Sequence, residues 1–234
     1  MVAYSEIICD YFMVQQDDIR LREELDENPA RFFRKMALYL KNGIPLFNRP
    51  PEAKEWTRHT DPDWDDREIT SEDGIEPGDV IETGVAGYEL CSAGVLEEDD
   101  LGAPVYRKID AEYNSETGEV TVNETVTPGS VVQFDYYTDG QFAYDLTEDM
   151  KNILGLCVQY VWERRFNNDF LTRTPKVKDD SFTVGNESNW IAKGTERLKA
   201  IYGQLNAAMV GFEQGIAAMQ TLPAANRFKI PTNN

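Results

Sequence analysis

The acidic residues of this chain are concentrated in one block of its sequence. Residues 50–149 carry 27 Asp and Glu against 5 Lys and Arg, a net charge of −22. The rest of the chain carries 15 acidic and 18 basic side chains, so the total of −19 comes from the middle. Because like charges repel, this block cannot clamp the phosphates of DNA. The charge step predicts one structural element inserted into another.

The sequences on both sides of the block have the periodicity of helices. Asn28 can cap a helix that starts at Pro29, and Asp145 and Glu148 have the spacing of a capping box. We predict four helices, at 3–15, from Pro29 to Gly43, at 145–168 and from about Ser188 to Thr221. Since each has an apolar stripe, the two helical regions must bury these stripes against each other.

Within the block, the apolar period changes from 3.6 to two. Val120 and Val122 alternate with polar residues, as do Val132, Phe134 and Tyr136, which indicates antiparallel strands with one packed and one wet face. Thr127-Pro128-Gly129 suits a type II turn, and 95–104 is predicted to be a loop. We predict strands at Val80–Glu82, Tyr88–Cys91, Val105–Tyr113, Glu119–Val126 and Ser130–Tyr137.

The predicted fold is therefore α+β. A small bundle of N- and C-terminal helices carries an inserted antiparallel β-rich domain, which closes as a barrel or as a sandwich. The predicted divisions are residues 1–49 and 145–222 for the bundle, 50–144 for the acidic insert and 223–234 for an extended tail.

The composition also indicates where the protein is made. The first residues, MVAYSEIICDYF, have neither a basic leader nor an uninterrupted apolar run, and no stretch approaches the roughly 20 apolar residues of a membrane helix. Cys9, Cys91 and Cys157 are far apart and odd in number, which is typical of reduced, buried thiols. We expect a soluble protein made in the cytoplasm, with no membrane partner.

The residues that most enzymes need are scarce. His59 is the only histidine, and its polar surroundings predict a surface residue. The sequence contains no glycine-rich phosphate loop and no CxxC pair. We therefore expect no enzyme, no catalytic residue and no cofactor, with carboxylate-dependent chemistry as the remaining enzymatic alternative.

One acidic segment matches part of a calcium-binding pattern. Asp61, Asp63, Asp65 and Glu72 occupy positions 1, 3, 5 and 12 of the EF-hand loop. Position 6 is Asp66, where the turn needs glycine, and no clear helix flanks the segment. We expect a solvated acidic linker without a metal, and these four residues are the only metal candidates.

The last predicted helix carries small residues four positions apart, at Gly203, Ala207, Gly211 and Gly215. Glycine inside a helix costs about 1 kcal/mol relative to alanine, so the stripe indicates a close backbone approach. Two alternatives are open. The stripe packs against the helix around Trp162, or it forms a seam between subunits.

A basic stretch begins at the end of the third predicted helix and continues after it, with Arg164, Arg165, Arg173, Lys176 and Lys178. Such a stretch is typical of a solvated face. It would also suit the acidic insert of an adjacent subunit.

The junction between insert and bundle resembles a known family. It reads Gly118-Glu-Val-Thr-Val122, then Pro128-Gly-Ser-Val-Val-Gln-Phe-Asp-Tyr-Tyr-Thr-Asp-Gly-Gln-Phe142, followed by Leu146-Thr147, Ile153-Leu154 and Trp162. This is similar to the head–tail adaptor (neck or connector) proteins of tailed bacteriophages. Elsewhere the likeness is one of layout, with N-terminal helices, an insert, long C-terminal helices and a tail.

The resemblance implies a structural role in the virion of a tailed bacteriophage, made in the host cytoplasm. Such proteins form a ring, typically of twelve copies, between the portal protein and the next neck or tail ring. DNA passes through the centre without sequence-specific binding, and acidic surface keeps the duplex from adhering. Arg227, Phe228, Lys229 and Ile230 of the tail would add a strand or plug to a portal subunit.

Other functions are compatible with the same sequence. The chain could be a different virion part, such as a baseplate or tail-completion protein. It could also be an acidic mimic of DNA that binds a host nucleic-acid-binding protein. A mimic has no use for a long helix with a glycine stripe, and a ring subunit does.

Overall fold

The chain combines helices and antiparallel sheets, as a computed structural model shows for residues 1–16, 18–98, 104–173 and 185–220. It is 49% helical and 26% strand, and N- and C-terminal helices flank a β region, which confirms the predicted α+β class. Packing divides the chain into two compact units. The helical unit comprises Met1–Asp17, Leu38–Thr60 and Gln141–Asn234, and the β unit comprises Asp18–Ala37 and Asp61–Gly140.

The helical unit contains one short β-pair besides its helices. Strands β1 (His59–Thr60) and β9 (Gln141–Phe142) pair antiparallel. Among the described helices, none has the length and apolar composition of a membrane span. The helical elements are α1 (Tyr4–Glu6), a π-helical segment (Ile7–Met13), α2 (Val14–Gln16), the Leu38–Gly43 part of α4 (Pro29–Gly43), a 3-10 turn (Ile44–Leu46), α5 (Ala53–Trp56), α6 (Glu148–Arg173) and α7 (Gly185–Gln220).

The core of the helical unit joins the N-terminal and C-terminal helices, as predicted. The rings of Phe12 and Trp162 lie 6.1 Å apart, and those of Phe47 and Phe212 lie 6.0 Å apart. Gly155 of α6 allows the closest approach, because a Cβ atom there would lie 2.7 Å from the Cβ of Tyr11. The two helical regions therefore bury their apolar stripes against each other.

The ends of the long helices differ in part from the prediction. Helix α6 begins at Glu148, and Thr147 caps it, since the Thr147 hydroxyl accepts a hydrogen bond from the Met150 amide at 3.4 Å. The predicted Asp145–Glu148 capping box is therefore wrong. Helix α7 begins at Gly185, before the predicted Ser188. The predicted tail, 223–234, lies outside the described residues.

The β unit contains two antiparallel sheets. A four-stranded sheet has the order β2-β8-β4-β5, and a three-stranded sheet has the order β3-β7-β6. The strands are β2 (Asp63–Ser71), β3 (Asp79–Glu82), β4 (Leu90–Glu98), β5 (Pro104–Lys108), β6 (Ala111–Asn114), β7 (Glu119–Val122) and β8 (Ser130–Thr138).

Both sheets contribute to one apolar core. Val95 and Phe134 reach it from the four-stranded sheet, and Val120 and Val122 reach it from the three-stranded sheet. The sheets of the described residues form no closed barrel. Of the two predicted forms of the insert, the closed barrel is therefore not adopted, and two separate sheets share one core.

Strand β8 is buried on both faces, which corrects the prediction of a wet face. Asp135 and Gln133 alternate with the core residues and are themselves buried. Asn28, which precedes α4, donates a hydrogen bond to Asp135 at 2.6 Å, and the Asn28 side-chain oxygen accepts one from the Arg31 amide at 3.0 Å. Helix α4 thus begins over this face of the sheet, and the predicted cap at Asn28 is confirmed.

Several predicted loops and strands have different bounds in the structure. The segment 95–104 is not one loop, since 95–98 belong to β4 and 104 belongs to β5, while 99–103 lie outside the described residues. The single strand Val105–Tyr113 is two strands, because the chain passes from one sheet to the other at buried Ile109. Helix α3 (Ile19–Glu27) was not predicted, because Leu21 is its only buried residue.

Candidate functional site

Helix α7 has one buried face and one exposed face. Its buried residues recur at intervals of four and three, at Ile201, Leu205, Met209 and Phe212. The small residues of the stripe, Gly203, Ala207, Gly211 and Gly215, are all exposed.

The glycines of this stripe are not needed for packing within the described chain. A Cβ atom built at Gly203, Gly211 or Gly215 meets no atom within 4 Å. The alternative in which the stripe packs against the helix around Trp162 is therefore wrong. Close packing in this unit uses Gly155 and Gly43 instead, where an added Cβ would meet Tyr11 at 2.7 Å and Cys157 at 3.1 Å.

The 200–220 segment of α7 also carries little charge. Between residues 200 and 220 the only charged residue is Glu213, in a chain that is 28% charged. Among residues 192–219 of this helix, two large apolar side chains are exposed, Tyr202 at 52% and Met219 at 43%. The centres of protein–protein interfaces are depleted of charged residues, and the 200–220 segment of α7 is depleted of them too.

A groove runs between α6 and α7 beside the stripe and has a volume of about 370 Å³. This groove could not be predicted from the sequence, because it depends on how the two helices pair. The lining is mostly apolar, with one carboxylate, and comprises Asp149, Asn152 and Ile153 of α6 and Ala208, Gly211, Phe212, Gly215, Ile216 and Met219 of α7.

The first turn of α6 places further charge beside this groove. Glu148 precedes Asp149, and its pKa is lowered because Tyr11 and Lys151 donate hydrogen bonds to its carboxylate. The pKa of Lys151 is raised, mainly by its hydrogen bond to Glu6, with which it forms an ion pair at 2.7 Å. Glu148 therefore stays ionised at neutral pH.

A second hollow lies elsewhere in the helical unit, with a volume of about 730 Å³. Ile44 and Phe47 give it an apolar lining, and Lys54 and Arg58 are at its margin. Arg58 is already paired with Glu55 at 3.1 Å, which leaves the hollow without a concentrated charge. Thr57 and His59 also line it, and the Thr57 hydroxyl donates its hydrogen bond to the Ala53 carbonyl oxygen at 2.9 Å.

The acidity of the chain lies in the β unit. Residues 61–140 carry 22 acidic and 3 basic side chains, a net of −19, which equals the charge of the whole chain. The helical unit is neutral by the same count, with 15 acidic and 15 basic side chains. The uncharged α7 face thus belongs to a unit with no net charge.

The proposed calcium residues do not form a loop. Asp63 and Asp65 lie in β2, which pairs with β8 along its full length, so the expected solvated linker is an edge strand. Asp65 pairs with Arg67 at 2.7 Å, and Asp63 accepts a hydrogen bond from Tyr88 at 3.3 Å. No three His, Cys, Asp or Glu side chains are grouped to hold a metal in the described part of the chain, which includes Asp61 and Glu72.

His59 and the cysteines have structural positions. The His59 ring is half-buried, not on the open surface, and lies 5.6 Å from the Tyr4 ring and 6.0 Å from the Phe142 ring. All three cysteines are free. Burial raises the pKa of Cys91 to about 12 and also raises that of Cys157. Neither thiol is an activated nucleophile.

The basic residues do not form one described patch. Arg165 donates a hydrogen bond to the Tyr39 hydroxyl and lies over its ring at 5.6 Å, while Arg164 is exposed. The side chain of Arg173, and residues Lys176 and Lys178, lie outside what the structure describes. The same holds for the four tail residues predicted to bind a partner, Arg227, Phe228, Lys229 and Ile230.

Together these features define an α+β protein with a neutral helical unit, an acidic unit of two antiparallel sheets and an exposed, small-residue face on α7. No protein-family model matches the sequence, and a search of curated proteins also finds no match.

Proposed function

We propose that this chain is a structural ring subunit of the neck of a tailed bacteriophage. It would join the portal protein to the next neck or tail ring, and DNA would pass through the ring. The observation that carries this proposal is the exposed α7 face, which contains glycines that no described residue of the chain packs against.

The glycines of the stripe are energetically unfavourable within an isolated helix. Each glycine inside a helix costs about 1 kcal/mol relative to alanine, and no close contact with a described residue offsets that cost here. Glycine lets a second backbone approach closely, as in helix pairs with small residues at the seam. A neighbouring copy in a ring provides such a backbone.

The distribution of charge supports the same proposal. Copies with a net charge of −19 repel one another, so a contact between them is best made by a surface with little charge. The helical unit is neutral, and the 200–220 segment of α7 carries one charged residue. The acidity of 61–140 then remains available to face DNA or a basic partner.

A second candidate is an acidic mimic of DNA. The net charge of −19 in residues 61–140 favours it, since basic nucleic-acid-binding surfaces attract such a unit. It predicts a chain that stays monomeric and binds basic proteins through the β unit.

The two candidates are separated by sedimentation velocity on the full chain over a range of concentrations. We expect the wild type to self-associate and Gly203→Leu with Ala207→Leu to remain monomeric with an unchanged circular dichroism spectrum. A matched control is Lys54→Leu, an exposed position on α5, which should associate like the wild type. A wild type that remains monomeric at every concentration, also when mixed with portal particles, would contradict the ring proposal.

A further inference from the structure

We propose that the outer edge of strand β2, at residues 68–70, binds an extended segment of a basic partner protein as an additional strand. Strand β2 is the first strand in the sheet order β2-β8-β4-β5, so a described strand pairs with only one of its edges. Every residue of β2 pairs with β8, which keeps the strand extended along its whole length. The other edge therefore presents backbone donors and acceptors to a further strand.

The direction of the β2 amides follows from two hydrogen bonds. The Trp64 amide donates to the Asp63 carboxylate at 2.9 Å, and the Asp66 amide donates to the Asp65 carboxylate at 2.9 Å. These two amides therefore point away from β8. In an antiparallel pair, residues alternate between those that bond to the partner strand and those that do not. The even-numbered residues of β2 thus direct their N–H and C=O groups to the outer edge.

Glu68 and Thr70 are the even-numbered residues at the other end of the strand, and both are exposed. The residues that precede them, Arg67 and Ile69, have no acceptor atom in their side chains. Outside the ladder with β8, neither amide has a hydrogen-bond partner among the residues that the structure describes. The first half of the outer edge is therefore closed by its own carboxylates, whereas the second half is open to a further strand.

The open half provides a regular set of backbone groups. Glu68 and Thr70 each offer one N–H and one C=O, and the two residues lie about 7 Å apart, since an antiparallel strand rises about 3.4 Å per residue. An extended segment repeats its own backbone groups at the same interval, so it can pair with both residues at once. Such main-chain hydrogen bonds provide affinity, and the side chains of the added segment provide specificity.

The carboxylates at this end of β2 are not neutralised within the described part of the chain. Glu68, Glu72 and Asp73 are exposed, and no described basic side chain forms an ion pair with any of them. The nearest basic residue in the sequence, Arg67, is paired with Asp65 at 2.7 Å. A segment with Lys or Arg at alternate positions would place a cation opposite Glu68, and opposite charges across a strand pair are favourable.

The same charge excludes other occupants of the edge. A second copy of β2 would place carboxylates opposite carboxylates, which is destabilising. Residues 61–140 have a net charge of −19, so they repel nucleic acid and attract a basic protein. The occupant is therefore a basic segment of another protein. This proposal does not depend on the proposed function, because it concerns the β unit and not the α7 stripe.

The proposal is tested by amide NMR of the full chain, at a concentration where it is monomeric, during titration with the peptide acetyl-Lys-Thr-Lys-Val-Lys-Thr-Lys-amide. We expect the Glu68 and Thr70 amide resonances to move downfield as hydrogen bonds form. At saturation, hydrogen exchange of the Thr70 amide should slow on the order of tenfold. The Arg67 amide, which faces β8, should change little. Unchanged Glu68 and Thr70 amides at millimolar peptide would overturn the proposal.

A matched pair of proline variants separates strand addition from attraction between charges. Glu68→Pro and Asp66→Pro each remove one carboxylate and one outward N–H, at positions where an edge strand tolerates proline. Because the Asp66 amide is already bonded to Asp65, we expect Asp66→Pro to bind the peptide within about twofold of the wild type. Glu68→Pro should bind it on the order of tenfold more weakly, and Glu68→Gln, which keeps the amide, should bind more tightly than Glu68→Pro.

Equal weakening by the two proline variants would show that charge alone attracts the peptide, and it would overturn the proposal. Circular dichroism spectra like that of the wild type establish that the variants are folded. The NMR titration of the wild type does not depend on the folding of any variant, so the proposal can be refuted even if Glu68→Pro does not fold.

Discussion

The glycines of α7 lead to a prediction about the stability of the isolated chain. Replacing Gly203, Gly211 and Gly215 by alanine adds three methyl groups at exposed positions, where nothing lies within 4 Å of the new Cβ. Each change recovers about 0.8–1.0 kcal/mol of helix propensity. We therefore expect the triple variant to be more stable than the wild type by about 2–3 kcal/mol, with a melting temperature higher by roughly 4–12 °C.

Gly155→Ala provides the matched control. It lies in the interior of α6, so its gain in helix propensity is the same. Its Cβ atom would lie 2.7 Å from the Tyr11 Cβ, which cannot move without the backbone of the π-helical segment. Overpacking of this kind costs about 1–3 kcal/mol, so we expect no stabilisation and a loss of up to about 2 kcal/mol.

Urea unfolding followed by circular dichroism, at a concentration where the chain is monomeric, measures both effects. Hydrogen exchange of the α7 amides shows whether the gain lies in that helix. The same triple variant should self-associate more weakly, because the added methyl groups keep the second backbone away. If the triple variant is no more stable than the wild type, these glycines take part in packing within the chain after all.

Three further predictions concern the β unit and the thiols. Asn28→Ser keeps the cap of α4 but loses the hydrogen bond to buried Asp135, so it should lower the free energy of unfolding in urea by about 1.5–3 kcal/mol. Asn28→Ala also loses the cap and should lower it by about 1 kcal/mol more. Equal stabilities of the wild type and both variants would contradict this. Gly94→Ala should lower the melting temperature, because the new Cβ would lie 2.2 Å from the Tyr106 ring; an unchanged melting temperature would show that the ring moves freely. Cys91 and Cys157 should react slowly with a thiol reagent at mildly alkaline pH, because burial raises the pKa of both thiols and keeps them neutral. In denaturant, all three cysteines should react. Rapid reaction of three thiols in the folded protein would contradict this.

The long elements of the fold could be predicted from the sequence because their periodicity is strong. Helix α4 starts and ends as Asn28, Pro29 and Gly43 indicate, and the alternation in β7 and β8 identifies two strands. Helix α3 could not be found this way, since it buries a single residue and so shows no apolar stripe.

Acidic strands were missed for a physical reason. Strand β2 is an edge strand, so most of its side chains face water and can be acidic without cost. Its pairing with β8 depends on the partner strand and not on its own apolar pattern. The burial of Asp135 was missed for a related reason, because helix α4 covers a strand face that alternation alone predicts to be wet.

The small-residue stripe of the candidate site could be identified in the sequence, but not whether it faces the protein core or the solvent. A signal was present in Ile201, Leu205, Met209 and Phe212, whose spacing defines the buried face and leaves Gly203 and Ala207 opposite to it. The groove beside the stripe has no such signal. It arises from the pairing of Asn152 and Ile153 of α6 with α7, which only the folded structure brings together.

The proposed function requires that the exposed face of α7 meets a second copy of the chain. A cryo-electron microscopy map of the assembled oligomer shows whether it does. We expect a neighbouring copy whose backbone approaches Gly203–Gly215 closely, with an interaxial distance of about 8 Å if the contact is a helix. A map in which this stripe faces solvent in every copy would contradict the proposal.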